Sequence, residues 1–354
     1  MKKCAKWRRA ERTIGFAPAI AITGTIILFG NILLRLVLHV GVQRTATSAI
    51  QSFLHANQGR LLDRGMILAD GMRRHSAPVH KIFRGDGAAV YEDMRGQLEN
   101  QGAHTLILSE EDIVIRKSMT KLGRFASRFD EVKVIVALRR QDLWLESWYL
   151  QHIKWQWKAR FAHATLPEFL KARREFFWID YCKLLDGLSA AFGRENLRPL
   201  VFESGQMPGG PVAAFCRQIG IDGIFGWNPP LRRNQSLSPR IAEFVRRLPL
   251  HEAPAPLRAK LEAAAMNLDE KIGAKGSALL IPHEERYAIM REYEKSNSKA
   301  AARYFGRDQL FAEPLPAPDA PLGAMTLPQE TDELMSSIVA GFVSELIATY
   351  AKKG

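Results

Sequence analysis

LRLVLHVGVQRTATSAIQSFL, residues 34–54, decides the fold class. Five of its first seven residues, 34–40, are valine or leucine, the composition of a strand in a buried parallel sheet. Gly41 breaks the run, a hydroxyl-rich turn follows, and SAIQSFLHAN (48–57) returns apolar residues at helical spacing. Strand, glycine turn and helix in that order make the opening unit of a parallel sheet. The same alternation recurs downstream. TLILS (105–109), VKVIVAL (132–138) and LRPLVF (197–202) read as strands; LWLESWYLQHIKW (143–155), PGGPVAAFCRQIG (208–220) and SPRIAEFVRRLP (238–249) read as helices. The expected class is therefore α/β, a parallel β-sheet flanked by helices.

The turn itself, Gly41-Val42-Gln43-Arg44-Thr45-Ala46-Thr47-Ser48, carries three hydroxyls, one arginine and no carboxylate. Free backbone N–H groups at a helix start, next to a cation, suit a phosphate or sulfate. An ordinary strand–helix turn with a Ser/Thr-rich cap is the equal alternative for the octapeptide taken alone. The turn is not a Walker A loop, which requires glycine at 46 and lysine at 47 where this chain has Ala46 and Thr47. The 132–138 strand ends in Arg139-Arg140 rather than the aspartate that holds Mg²⁺ in an ATPase. A metal-free anion site is expected.

LHVGVQRTATSAIQSFL resembles the 5′-phosphosulfate-binding loop of sulfotransferases, Gly-x-x-Lys-Thr-Gly-Thr-Thr in bacterial members, with Arg44 for the lysine, Ala46 for the glycine and Ser48 for the last threonine. The same superfamily has an arginine at a strand end and a serine eight residues later. VIVALRRQDLWLESWY offers Arg139 and Ser147 at that spacing. FGRENLRPLVFE, NQSLSPRIAEFVRRL and SNSKAAARYFGRDQLF are weaker likenesses, so the resemblance spans roughly residues 34–312. It implies the P-loop-like sulfotransferase fold and transfer of a sulfuryl group from 3′-phosphoadenosine 5′-phosphosulfate (PAPS) to an acceptor hydroxyl. It also implies roles: Arg44 bridging toward the leaving phosphate and sulfuryl oxygens, the Gly41–Ser48 loop with Thr45, Ala46, Thr47 and Ser48 around the 5′-phosphate, and Arg139 with Ser147 on the 3′-phosphate. A carbohydrate hydroxyl is the preferred acceptor on that analogy alone.

Such a transfer needs a base for the acceptor's proton. The family's Ser-x-Glu pattern falls on Glu111 in Ala103-His104-Thr105-Leu106-Ile107-Leu108-Ser109-Glu110-Glu111-Asp112, with Glu110 as runner-up and an acidic turn cap as the plain alternative. Ser109 is a candidate nucleotide contact and His39 a supporting residue behind the loop. Trp144, Trp148, Trp155 and Trp157, with Lys154 and Lys158 among them, form a candidate acceptor wall, although Trp144 and Trp148 share a helix face that suits the core.

Composition agrees with an anionic ligand without choosing one. The formal charge is +13; six basic residues against Glu11 in the first twelve supply +5 of it, leaving +8. Two other classes stay open, a nucleotide kinase-like phosphotransferase and a non-catalytic binder of nucleotide or nucleic acid; nucleic acid is not the expected partner. Cys4, Cys182 and Cys216 form no CxxC pair, so neither a disulfide framework nor a structural metal is expected, which fits a cytoplasmic protein. The uncharged run TIGFAPAIAITGTIILFGNILL (13–34) is the competing signal, a membrane anchor, disfavoured because its glycines and Pro18 weaken a helix and the first strand follows with no stem. Residues 1–33 read as an extension. EPLPAPDAPLGAM (313–325) reads as a connector, and Thr326-Leu327-Pro328-Gln329 as the capping box of a last helix that docks on the domain surface.

Overall fold

A computed structural model describes residues 33–230, 236–273 and 279–351. The expectations for the run at 13–34 and the basic residues before it therefore lie almost wholly outside the described residues. From Leu33 onward the chain forms one compact unit.

Five strands, β1 (Arg35–His39), β2 (Met66–Leu68), β3 (Thr105–Ser109), β4 (Glu131–Leu138) and β5 (Leu197–Val201), lie in the order β2-β3-β1-β4-β5. Every pairing is parallel. The expected α/β class, with a parallel sheet between helices, is what the chain adopts. Alternate residues of each strand serve opposite faces. Leu36, Leu38, Leu106, Leu108, Val134 and Val136 join one core with residues of α2 (Gly87–Asn100), α3 (Thr120–Ala126), α4 (Gln141–Trp155) and α5 (Tyr181–Phe192). Val37, Ile107 and Ile135 join the other, against Ile50, Phe53 and Leu54 of α1 (Thr47–Ala56) and Phe215 of α6 (Gly210–Gln218).

The strand order fixes where a ligand can sit. β1 is central, and the chain leaves it toward β3 and β2 on one side and β4 and β5 on the other. In open parallel sheets the crevice at such a reversal, beyond the carboxyl ends of the strands, is where ligands bind. Residues 41–48 occupy that position.

Helix α4 is buried on nearly every side, polar residues included. Its Asp142 and Glu146 are held by Arg286, from α9 (His283–Ala300, with α7 Pro239–Arg246 and α8 Ala255–Ile272 preceding it), at 2.9 Å and 2.5 Å. Arg140 closes the group on Asp142 at 2.7 Å and donates to the Glu313 and Pro314 carbonyls. The connector is thus tied to the strand ends.

The capping box is a correction. Thr326–Gln329 are not helical; the last helix, α10, runs Thr331–Ala351 behind Glu330. Met325 and Leu327 pack against the core, and Gly323 donates to the Leu279 carbonyl, which holds this stretch extended. Two tertiary anchors outweigh a cap worth about 1 kcal/mol. Helix α10 is long and apolar enough to cross a bilayer, and here it docks on α8 with Ile338 and Phe342 buried, Phe342 edge-on to Phe244.

Candidate functional site

Parallel pairing sets the first contacts. His39 stands beside Ser109 in register, so the loop leaving β1 meets the turn leaving β3. Gly41 has φ +104°, and a β-carbon there would lie 3.2 Å from that of Glu111. Glycine is needed both for the backbone and for this close approach. Gln43 ties the same two segments together, donating to the Glu111 carbonyl at 3.1 Å and to Asp112 at 3.3 Å.

Within the loop, Arg44 and Ala46 have φ +66° and +63°. Thr45 is fully buried, and its hydroxyl donates to the Val42 carbonyl at 2.6 Å, so it braces the turn. Ala46 leads into α1 with no side-chain cap. The Ala49 and Ile50 amides both donate to the Ala46 carbonyl at 3.0 Å, which leaves the Thr47 and Ser48 amides of the first turn without an intrahelical acceptor. Thr47 and Ser48 line the cavity in front of them.

Arg44 is the hub. Its Nε donates to Ser147 at 2.7 Å, Nη1 to Gln151 at 2.7 Å and Nη2 to Ser236 at 3.1 Å. Burial, and then the charge of Arg139, bring its guanidinium down to about 10. Arg139 approaches from β4 and donates to the Arg44 carbonyl at 2.9 Å. Arg139 and Ser147 therefore meet through Arg44 and do not form a direct pair. Arg139 turns instead into a cavity of about 420 Å³ with Phe202, Glu203, Ser204 and Gly209. Its Nε has no protein partner, and its guanidinium lies 5.5 Å from the Phe202 ring centre. The two acids there are engaged: Glu203 accepts from the Ala312 amide at 2.8 Å and Glu313 from the Ser204 amide at 2.8 Å.

Arg44 itself lines a different cavity, of about 500 Å³. Gln43, Arg44, Thr47, Ser48, Arg74 and Glu111 form its polar end. Trp148, His152, Trp155, Trp157, Phe176 and Trp178 form its aromatic end. The two consecutive glutamates separate here. Glu110, 2% exposed, is gripped by Arg74 at 2.6 Å and accepts from the Asp112 amide at 3.0 Å. Glu111 faces the cavity, accepting from Gln51 at 2.8 Å with Arg74 at 3.8 Å. Burial lifts the Glu111 carboxyl above the usual carboxylate range; Arg74 opposes this and Glu110 adds to it. For Arg74, burial is outweighed by the Glu110 hydrogen bond and the three acids, so its charge is secure.

Several expected contacts fall elsewhere. Ser109 is buried, with its hydroxyl 2.8 Å from His39 Nδ1, so it is spent behind the loop. Burial brings His39 down to about 4, and the neutral ring packs 5.0 Å from Phe215. His104, at the amino end of β3, bonds Thr105 at 2.9 Å, far from the strands' carboxyl ends. Trp144 is core and donates to the Gln43 carbonyl at 2.8 Å. Arg74, Phe176 and Trp178 carry no sequence signal that joins them to the loop, because they arrive from stretches of chain far from it; Gln51, three residues past the loop, shows its role only through its partner Glu111.

A larger cavity, about 560 Å³, shares Phe176 and Trp178 but none of the loop residues. Its Arg174 and Lys183 pair with Glu292 and Asp180. Among the described residues no group of three His, Cys, Asp or Glu side chains is placed to hold a metal ion.

No family model matches the chain, and no solved structure matches it. The chain is similar to an uncharacterized protein of Archaeoglobus fulgidus, 30% identical over 184 residues, which is 51% of this chain and 47% of that relative. The chain thus spans about half the length of the relative it matches.

Proposed function

We propose that the chain is a PAPS-dependent sulfotransferase of the P-loop-like sulfotransferase fold, acting on an acceptor hydroxyl. The observation that carries the reading is the meeting of three strand ends: Arg44 and Glu111 line one cavity, and Arg139, which donates to the Arg44 carbonyl, lines another. A nucleotide with phosphates at both ends needs cations at two separated points, and Arg139 and Arg44 supply them. The loop amides and the hydroxyls of Thr47 and Ser48 receive the 5′-phosphosulfate. The acceptor enters from the aromatic side, where Glu111 takes its proton as the hydroxyl oxygen attacks sulfur. The bond between sulfur and the bridging phosphate oxygen breaks, and 3′-phosphoadenosine 5′-phosphate leaves with the electron pair. Arg44, held by Ser147, Gln151 and Ser236, meets the charge that develops on that bridging oxygen without reorganising.

Calorimetry with 3′-phosphoadenosine 5′-phosphate tests this. Arg44→Ala and Arg139→Ala should each weaken binding by roughly ten- to a hundredfold, the loss of a charge-assisted contact. Arg139→Ala should also erode the preference for ligands carrying the 3′-phosphate. Unchanged affinity in both variants sinks the assignment.

A further inference from the structure

The cavity of about 560 Å³ has no part in the chemistry above, yet its size is that of a small-molecule site. Residues 114–119 beyond β3, residues 174–180 and the sides of α5 and α9 enclose it. What it presents is mainly carbon. Phe177 is 45% exposed, and Trp178, Leu184 and Tyr293 are each 8–9% exposed. Ser296, Asp180 and Glu292 also line it, and the protein engages all three. Ser296 donates to Asp180 at 2.5 Å and accepts from the Cys182 amide at 3.1 Å, and Lys183 reaches Asp180 at 2.8 Å. Arg173 and Arg174 close on Glu292 at 2.7 Å and 3.0 Å.

The charge is left unbalanced at one edge. Arg116 and Lys117 are exposed, and neither has a carboxylate partner among the described residues. Arg116 lies over the Phe83 ring at 5.2 Å, which leaves its charge uncompensated. Gly187 is a separate observation. It stands inside α5, where glycine is a poor helix residue. It lines the cavity, and a β-carbon there would meet nothing within 4 Å. No neighbour requires a glycine; a larger side chain would instead take up the cavity's space.

These features select a ligand. A sugar or nucleotide would bury polar groups against carbon with no partner to receive them. An inorganic anion would leave the apolar walls wet, and an uncharged lipid would leave both cations unused. We propose that this cavity binds a single-chain amphiphile with an anionic head, its alkyl chain against Phe177, Trp178, Leu184 and Tyr293 and its head on Arg116 and Lys117. None of these residues belongs to the 41–48 loop or to the cavity of Arg139, so the site stands whether or not the chain transfers sulfuryl groups.

Calorimetry on the full chain tests it, with decanoate, decyl phosphate, decanol and inorganic phosphate, each below any micelle-forming concentration. Both amphipathic anions should bind at least tenfold more tightly than decanol, the return on a charge-assisted contact, and inorganic phosphate should not bind measurably here. Whichever anion is the tighter identifies the head group. Arg116→Ala with Lys117→Ala should weaken both anions at least tenfold and leave decanol as it was. Gly187→Leu should abolish binding of all three alkyl compounds while keeping the parent's urea midpoint or exceeding it, because leucine favours the helix. The cavity beside Glu111 shares Phe176 and Trp178 with this one, but Trp157 lines only the former. Trp157→Ala should therefore leave decanoate affinity unchanged. The proposal is overturned if neither anion binds, if decanol binds as tightly as they do, or if folded Gly187→Leu binds decanoate as the parent does. Loss of decanoate binding in Trp157→Ala overturns it too, by moving the ligand to the other cavity.

Discussion

At the scale of single residues, the carboxylates at 110 and 111 show how one position along a strand end changes chemistry. Both leave β3, yet Glu110 is buried in a hydrogen-bonded grip with Arg74 while Glu111 faces a cavity. Glu111→Gln keeps the shape and the contact with Gln51 but removes proton acceptance. Turnover should fall by roughly a hundred- to ten-thousandfold, the usual contribution of a general base, with nucleotide affinity unchanged. Glu110→Gln should leave turnover far less affected and lower stability instead, by about 1.5–3 kcal/mol in urea titrations, because it weakens a charge-assisted pair. Normal turnover in both variants removes carboxylate catalysis. The pH dependence follows from the Glu111 environment. Its folded carboxyl titrates above the ordinary range, so the reactive anion forms only as pH rises through that raised value. The acid limb of kcat should therefore lie above about 4.3, the unperturbed glutamate value, and vanish in Glu111→Gln. An acid limb at or below that value would contradict the assignment.

Elements explain what the sequence disclosed and what it concealed. The β1–loop–α1 unit was legible because two periodicities meet at Gly41, and β3, β4 and β5 because each is a short apolar run. β2 was not, since three residues at a sheet edge are too few to show a pattern. Helix α4 was legible as a helix, but its role was not. Its polar residues are recognisable only with their distant partners: Asp142 and Glu146 with Arg286, Ser147 and Gln151 with Arg44. The resemblance joins Ser147 to Arg139, whereas three-dimensional packing gives it to Arg44. This dependence on Arg286, 1% exposed, makes it a handle on the whole element. Arg286→Met leaves Glu146 with backbone donors only and removes one of two arginines from Asp142. Breaking such a buried pair typically costs about 3–5 kcal/mol, which urea titration reads directly. A loss under 1 kcal/mol would show that α4 is held by its apolar packing alone.

For the whole molecule, the described residues from Leu33 onward build the sheet, a core on each of its faces and the two cavities that Arg44 and Arg139 line. The carboxyl ends of β1, β3 and β4 bring Arg44, Glu111 and Arg139 together, and α4 with the segment up to Trp178 lines the cavity on the Glu111 side. The aromatic cavity could not be read from sequence for the same reason: Trp148 and Trp155 lie on α4, but Phe176 and Trp178 come from the segment beyond it, and only the folded chain puts them on one wall. A chain beginning at Asn31 should accordingly stay folded and keep its nucleotide affinity within about twofold, well inside one ordinary hydrogen bond. Leu34 anchors the new start, since its amide donates to Asp130 at 2.7 Å and its carbonyl accepts from Asp130 and Glu131. Thermal unfolding by circular dichroism and calorimetry with 3′-phosphoadenosine 5′-phosphate provide the two readings. A cooperative transition at the parent's midpoint, with retained binding, places everything the site needs after residue 30. Aggregation of the shortened chain, alongside tight vesicle binding by the full one, would instead make the first thirty residues a membrane anchor on which the fold depends.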